Sequence, residues 1–173
     1  MLGLIFSDIK NNLRHSLLTV LMLMNYRIGH KLISLKLQWK YTIFLIPYIL
    51  VKLSYKLLWH QLGCSIPFCA KVGCNLTFMH GLYGVFISGR AEVGNGCVIL
   101  HQVTIGSNQG SASKLSAPKI GDDVFIGVGA KVIGNVIIGN GVKIGANALV
   151  CKNISPLSVC YAPLAIVSNV ICK

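Results

Sequence analysis

IGDDVFIGVGAKVIGNVIIGNGVKIGANALV, residues 120–150, is the stretch of sequence that decides the fold. A branched aliphatic residue recurs at every sixth position, at 120, 126, 132, 138, 144 and 150. A period of six matches neither the helical repeat nor the two-residue alternation of a half-exposed strand. It is typical of a parallel β-helix, in which six-residue sides wind into coils and equivalent residues stack on one another.

The six-residue series begins well before this stretch. Its thirteen anchors are Ile66, Val72, Phe78, Ile87, Val93, Ile99, Ile105, Ile120, Ile126, Val132, Ile138, Ile144 and Val150. Four residues after most anchors stands a second small or branched apolar residue, as expected for the filling of a narrow prism. Gly-Asn-Gly and Gly-Asp-Asp steps supply residues that tolerate the backbone angles of tight corners. We therefore predict a mainly β protein that contains a parallel β-helix.

The chain before the repeats has a helical pattern. Apolar residues recur at three-to-four spacing from residue 2 to about residue 60, with basic residues between them. We expect an α-helical N-terminal region over residues 1–62, the β-helix over 63–155 and a C-terminal tail over 156–173. Asp8 lies early in the first helix, where a carboxylate favours the positive end of the helix dipole.

A second helical segment, residues 41–59, contains an apolar run at 41–51 that is bounded by Lys40 and Lys52. The run is well short of the roughly 20 residues that a membrane-spanning helix needs. Two interpretations of the helical region stay open. It lies in the plane of a membrane surface, or its helices pack on one another and on neighbouring subunits.

The composition is basic and apolar. The formal net charge is +12, 54% of the residues are hydrophobic and only 12% are charged. A surface of this kind attracts anions, and part of it should meet partner subunits or lipid. No groove-reading helix, aromatic stacking platform or zinc finger is evident, so we expect no nucleic acid partner.

Seven cysteines, an odd number without a C-x-x-C pair, argue against a disulfide framework. No cleavable signal peptide is evident either. We read the cysteines as reduced thiols of a cytoplasmic protein. Contact with the inner face of the cytoplasmic membrane would be peripheral and made through residues 1–60.

The repeat slips at two places, and functional groups often occur where a regular scaffold is interrupted. Nine residues separate Phe78 from Ile87, and the extra residues fall around His80. Fifteen residues separate Ile105 from Ile120, so residues 107–117 are predicted to form an external loop.

The repeat region resembles the serine acetyltransferase-like branch of hexapeptide-repeat acyltransferases, in particular bacterial capsule, colanic acid and lipopolysaccharide O-acetyltransferases. The motifs that carry the resemblance are His80-Gly81, His101-Gln102-Val103-Thr104-Ile105-Gly106, Pro118-Lys119-Ile120-Gly121, Ile126-Gly127-Val128-Gly129-Ala130 and, in the helical part, Tyr26-Arg27-Ile28-Gly29-His30. The resemblance implies a left-handed β-helix, a homotrimer with active sites between subunits, acetyl-CoA as co-substrate and no metal.

The resemblance also implies the site residues. His80 occupies the position of the catalytic general base, and His101 matches a second histidine that binds the acceptor or shares the proton transfer. Val128, Ala146, Cys151 and Lys152 fall on cofactor-binding positions, where small side chains admit the pantetheine arm and Lys152 faces the phosphates. Lys131 and Lys143 are further candidates for the phosphate charge.

Three positions depart from serine acetyltransferases. Met79 and Ser65 stand where those enzymes carry aspartates, and Ala117 stands where they carry a histidine that holds the substrate carboxylate. We therefore expect a sugar hydroxyl of a cell-surface polysaccharide or its precursor as the acceptor. Serine O-acetylation is the alternative within the branch, and a non-catalytic β-helix scaffold is the alternative of another class. A zinc carbonic anhydrase of the same fold is disfavoured because no histidine follows His101.

Overall fold

Three helices precede a long series of short strands. The computed structural model describes residues 2–38, 45–108 and 116–163, and its helices are α1 (Leu2–Asn12), α2 (Leu17–Gln38) and α3 (Leu45–Leu62). The strands within these ranges are β1 (Lys71–Val72), β2 (Phe86–Ile87), β3 (Glu92–Val93), β4 (Val98–Ile99), β5 (Thr104–Gly106), β6 (Lys119–Ile120), β7 (Phe125–Ile126), β8 (Lys131–Ile133), β9 (Ile137–Ile138), β10 (Lys143–Ile144), β11 (Leu149–Val150) and β12 (Val159–Cys160). The start of the predicted segment 41–59 and most of the predicted loop 107–117 lie outside the described residues.

The strands form three parallel sheets. Their orders are β1-β3-β6-β9, β2-β5-β8-β11 and β4-β7-β10-β12, so consecutive strands of the chain belong to different sheets. From β2 to β11 each strand pairs in parallel with the strand three places further along the chain, and at the two ends β1 pairs with β3 and β10 with β12. The predicted left-handed parallel β-helix, preceded by helices, is confirmed.

The register shows where the coils are regular. Lys119 pairs with Ile137, 18 residues away, as three six-residue sides require. Lys71 pairs with Glu92, which is 21 residues away, so this coil contains the three extra residues around His80. The coil that contains the second slip is 27 residues long.

The core fills the prism, as the period predicts. Every anchor except Val72 is buried, and Val72 is partly buried. The small apolar residues that follow four positions later are buried as well. Burial of branched aliphatic side chains, each contributing about 1.5–3 kcal/mol, is therefore the main stabilising term of this region.

Residues of α1 and α2 hold the helices against the first coil. The Tyr26 hydroxyl donates a 2.6 Å hydrogen bond to the carbonyl of Ala70, and Arg27 donates to the carbonyl of Val72. Arg27 also forms a buried ion pair with Asp8, with 2.9 Å between Nε and Oδ2. The expectation for Asp8 is therefore wrong. It lies past the first turn of α1, and its carboxylate pairs with a guanidinium rather than with the helix dipole.

The last strand lies beyond residue 155, where we expected the tail to begin. β12 pairs in parallel with β10, so the coil continues at least to Cys160. None of the helices in the described ranges combines the length and apolarity needed to cross a bilayer.

Candidate active site

The two predicted catalytic histidines are neighbours. Their ring centroids lie 5.3 Å apart, and the planes meet at 82° in an edge-to-face arrangement. His80 is exposed on the turn between Phe78 and β2, and His101 is half-buried at the equivalent corner of the next coil. The three-residue insertion therefore places an accessible imidazole directly beside a second one.

Two of the predicted cofactor residues continue the same corner. One parallel ladder of paired residues runs across successive coils. Three residues after each of its positions stands one member of a set that we call the histidine row: His80, His101, Val128 and Ala146. The ladder positions are Thr77, Val98, Phe125 and Lys143. Because neighbouring strands lie about 4.8 Å apart, the row extends from the imidazoles along the coils.

Small residues and backbone groups line the histidine row. The amide of Gly129 donates to the carbonyl of His101 at 3.1 Å, and the amide of Asn147 donates to the carbonyl of Val128 at 2.8 Å. A Cβ at Gly127 would lie 2.7 Å from the amide nitrogen of Ala146, so glycine is needed there for close stacking of the coils. Val128 is half-buried and Ala146 is exposed, which leaves a narrow shelf along this corner.

Cys151 and Lys152 lie at a different corner, directly after β11. Both are exposed, and they line a groove of about 290 Å³ together with Leu149, Val150, Ile154 and Cys160. The structure thus brings Val128 and Ala146 into the histidine row and separates Cys151 and Lys152 from it.

The imidazoles have unused hydrogen-bonding capacity. The buried Nδ1 atom of His101 has no hydrogen-bond partner among the described residues, and within those residues the His80 side chain makes none. The hydroxyl of Ser65 is hydrogen-bonded to Tyr55, whose hydroxyl pKa is raised by burial and lowered in part by this bond. The Ser65 side chain therefore pairs with Tyr55 of α3. Ser65 stands where serine acetyltransferases carry an aspartate, and it does not supply a partner for His80.

Two helix residues that sequence reasoning missed hold the turn that carries His80. Asn12 of α1, fully buried, accepts from the amide of Phe78 at 2.7 Å and donates to the carbonyl of Leu76 at 2.8 Å. Thr19 of α2, also fully buried, accepts from the amide of Leu82 at 3.0 Å. In the sequence, each of these two residues could have been noticed only as a polar residue on a helix face that is otherwise apolar.

A lysine lies beside the histidine row. The Lys131 ammonium is 3.2 Å from the carbonyl oxygen of Gly129 and 3.5 Å from that of Gln102, the residue after His101. It is the candidate cation that the structure brings to the imidazole end of the row. In the part of the chain that the structure describes, no group of three or more metal-ligating side chains comes together.

The repeats match the family model "Bacterial transferase hexapeptide (six repeats)" over residues 117–152. Together with three parallel sheets and a histidine pair at a coil corner, this match supports the class expected from the sequence, a hexapeptide-repeat acyltransferase.

Serine acetyltransferases are among the relatives of this chain. The enzyme of Mycobacterium tuberculosis is 42% identical over 97 residues, which are 56% of this chain and 42% of that protein. A solved serine acetyltransferase in complex with cysteine superposes with a TM-score of 0.75 at 26% identity, covering 96% of this chain and 69% of the other. A second, in complex with CoA, has a TM-score of 0.68 at 25% identity over 85% of this chain and 55% of the other. The chain spans about half or less of the length of the curated relatives it matches.

These comparisons correct the expected acceptor. The similarity to serine acetyltransferases covers the helices as well as the coils, so the sugar hydroxyl of a capsule or lipopolysaccharide acceptor is contradicted and the alternative of serine O-acetylation is favoured. The expected sugar acceptor rested on the departures from serine acetyltransferases, in particular on Ala117. The Tyr26–His30 motif supported only the resemblance to the polysaccharide enzymes, and its Tyr26 and Arg27 prove to be docking residues. His30 likewise contacts the carbonyl of Phe68 through Nδ1 at 2.6 Å. A motif that fixes helices to a coil carries no information about the acceptor.

Proposed function

We propose that this protein is an acetyl-CoA-dependent serine O-acetyltransferase that works as a homotrimer in the cytoplasm. The observation that carries the proposal is the exposed His80 imidazole, which lies against His101 at the head of a shelf of small residues. The superposition on a serine acetyltransferase over 96% of this chain, and the 42% identity to another over 97 residues, support the choice of acceptor.

In this proposal His80 is the general base. Its imidazole accepts the proton of the L-serine hydroxyl as the hydroxyl oxygen attacks the thioester carbonyl carbon. The tetrahedral oxyanion collapses, the carbon–sulfur bond breaks, and the departing CoA thiolate takes the proton from the His80 imidazolium. The products are O-acetylserine and CoA, and no net proton is released in the transfer.

His101 and Lys131 are proposed to bind the acceptor. The buried Nδ1 atom of His101 lacks a protein partner among the described residues, and a buried polar atom is stabilised when it gains a hydrogen bond. L-Serine also carries a carboxylate, and Ala117, which is buried in the core, offers no charge for it. The ammonium of Lys131 has the charge for that carboxylate and lies one coil from His101.

Acetyl-CoA is proposed to lie along the histidine row. From His101 to Ala146 the row spans two coil steps, about 10 Å, and presents carbonyls, amides and small side chains to the pantetheine arm. Lys152 at the neighbouring corner, with Cys151 beside it, is proposed to meet the phosphates. The similar serine acetyltransferase that was solved in complex with CoA supports this co-substrate.

The test is an acetyl-transfer assay on the purified full chain. With acetyl-CoA and L-serine we expect CoA release matched by O-acetylserine detected by mass spectrometry, and no comparable product with glycerol. His80→Asn should lower kcat by about 10²- to 10⁴-fold, the usual contribution of a general base. His60→Asn, which changes an exposed histidine of α3, is the matched control and should leave the rate unchanged.

Two outcomes would contradict the proposal. Undiminished transfer by His80→Asn would mean that another group is the base. Absence of transfer to L-serine by a protein that is folded and trimeric in solution would favour the non-catalytic scaffold.

A further inference from the structure

α3 is apolar on two opposite faces. Its inner face, formed by Tyr48, Val51, Tyr55, Leu58 and Leu62, packs against the core. Its outer face, formed by Ile46, Ile49, Leu50, Leu53 and Leu57, points away from the protein, with each side chain between 50% and 70% exposed. A contiguous exposed apolar face of this kind normally meets protein or lipid, so the outer face requires a cover.

The charge beside the outer face indicates what covers it. Lys52 and Lys56 flank the face and, with Trp59, line a shallow apolar depression against Ile49 and Leu53. The sequence contains no acidic residue from position 9 to position 91. A cationic edge with an amphipathic tryptophan next to exposed leucines matches the interfacial region of an anionic bilayer, where lysine stems lie along apolar surface and ammonium groups reach the headgroups.

A second copy of this chain is a poorer match. The net charge is +12, and of the four acidic residues Asp8 is buried in its pair with Arg27 and Glu92 is paired with Lys71. Asp122 uses its carboxylate to accept from the amide of Asn95 at a coil corner. Asp123, the fourth, is exposed at the same corner of the β-helix and not on α3. Contact between the outer faces of two α3 helices would therefore bring lysines together without acidic counterparts, whereas anionic lipid supplies negative charge.

We propose that the outer face of α3 docks this protein on the surface of an anionic membrane. The leucines enter the boundary between headgroups and acyl chains, and Lys52 and Lys56 lie at the headgroup level. The helix lies in the plane of the membrane and does not cross it. The inference is independent of the proposed acetyl transfer, because α3 packs on α2 and contacts the first coil at Ile66 and Phe68, away from the histidine row.

The experiment is vesicle flotation of the full chain, with vesicles containing phosphatidylglycerol compared with vesicles of phosphatidylcholine alone. We expect flotation with the anionic vesicles that weakens as salt is raised. Lys52→Gln with Lys56→Gln should lower partition by about 5-fold per lysine. Leu53→Asn with Leu57→Asn should lower it by about 100-fold or more, since each leucine loses its transfer out of water.

Controls of the same chemistry lie elsewhere on the surface. Leu157→Asn changes a leucine that is 84% exposed, and Lys143→Gln changes an exposed lysine of β10. Both variants should float like the unmodified protein. In Trp39→Phe, which leaves Trp59 as the sole tryptophan, brominated acyl chains should quench the fluorescence of Trp59.

The proposal is overturned if the protein does not float with anionic vesicles, or if the α3 variants float as well as the controls. It is also overturned if Leu53→Asn with Leu57→Asn dissociates an oligomer in sedimentation velocity without lipid, because a second copy would then cover the face. Acetyl-transfer activity of the two α3 double variants, measured without vesicles, should not change.

Discussion

Thr19→Val tests whether helix α2 positions the turn that carries His80. Thr19 is fully buried, and its Oγ1 atom accepts a 3.0 Å hydrogen bond from the amide of Leu82, two residues after His80. Valine has nearly the shape of threonine but lacks the acceptor. The Leu82 amide, on a residue that is itself fully buried, would lose its described partner.

The expected magnitudes follow from that one bond. An unsatisfied buried donor costs about 1–3 kcal/mol, so the free energy of unfolding should fall by that amount. A turn that relaxes to recover a partner moves the imidazole, and a misplacement of about 1 Å can lower kcat by about 10²-fold. The KM for acetyl-CoA should change little, because the variant leaves the shelf beyond His101 intact.

The assays are urea unfolding followed by circular dichroism, at one fixed protein concentration, and steady-state acetyl transfer to L-serine. Thr19→Ser retains the hydroxyl and should restore kcat to near the unmodified value, even where loss of the methyl lowers stability. Equal kcat in Thr19→Val and the unmodified protein, with an unfolding free energy changed by less than about 0.5 kcal/mol, would refute the positioning role of Thr19.

Two further predictions concern His101 and the buried ionisable groups. His101→Phe keeps a ring against His80 but removes the two ring nitrogens. The KM for L-serine should therefore rise by about 10-fold while kcat stays nearly unchanged. A collapse of kcat at saturating serine would instead assign His101 to proton transfer. Burial raises the pKa of the Cys97 thiol from 9.0 to about 11 and that of the Tyr26 hydroxyl from 10.0 to about 12. Because the unfolded chain loses these protons first, stability should be full below pH 9 and fall between pH 9 and 12. Urea unfolding across this pH range measures the free energy of unfolding, and in Cys97→Ala this free energy should fall less steeply between pH 9 and 11. An unchanged slope would show that the Cys97 thiol does not contribute to the loss of stability.

Much of the β-helix was predictable because the same steric constraint applies within every six-residue side and repeats along the chain. A prism with three six-residue sides admits only small or branched apolar residues at the inward positions, and the predicted anchors are buried apart from the partly buried Val72. Both slips also follow from spacing, since a departure from six must add residues to one coil. The equivalence of His80 and His101 then follows from counting along the coils.

The acceptor and the role of the helical motif were not predictable in this way. The departures at Met79, Ser65 and Ala117 suggested a neutral acceptor, but each is one residue, and the similarity to serine acetyltransferases extends over helices and coils together. Tyr26 and Arg27 were read as markers of a subfamily, although their hydrogen bonds attach α2 to the first coil. Local sequence does not distinguish a polar residue that docks an element from one that meets a substrate.

The sequence by itself determined a parallel β-helix, the two interruptions in it and an imidazole at the first of them, because a repeat of six leaves few other ways to bury its aliphatic residues. Only the tertiary structure decided how that imidazole is held. Asn12 and Thr19 reach the His80 turn from helices more than 60 positions earlier in the chain, and Asp8 meets Arg27 across two helices. Such pairings depend on how the helices pack against the first coil, and no periodicity within either segment specifies that packing.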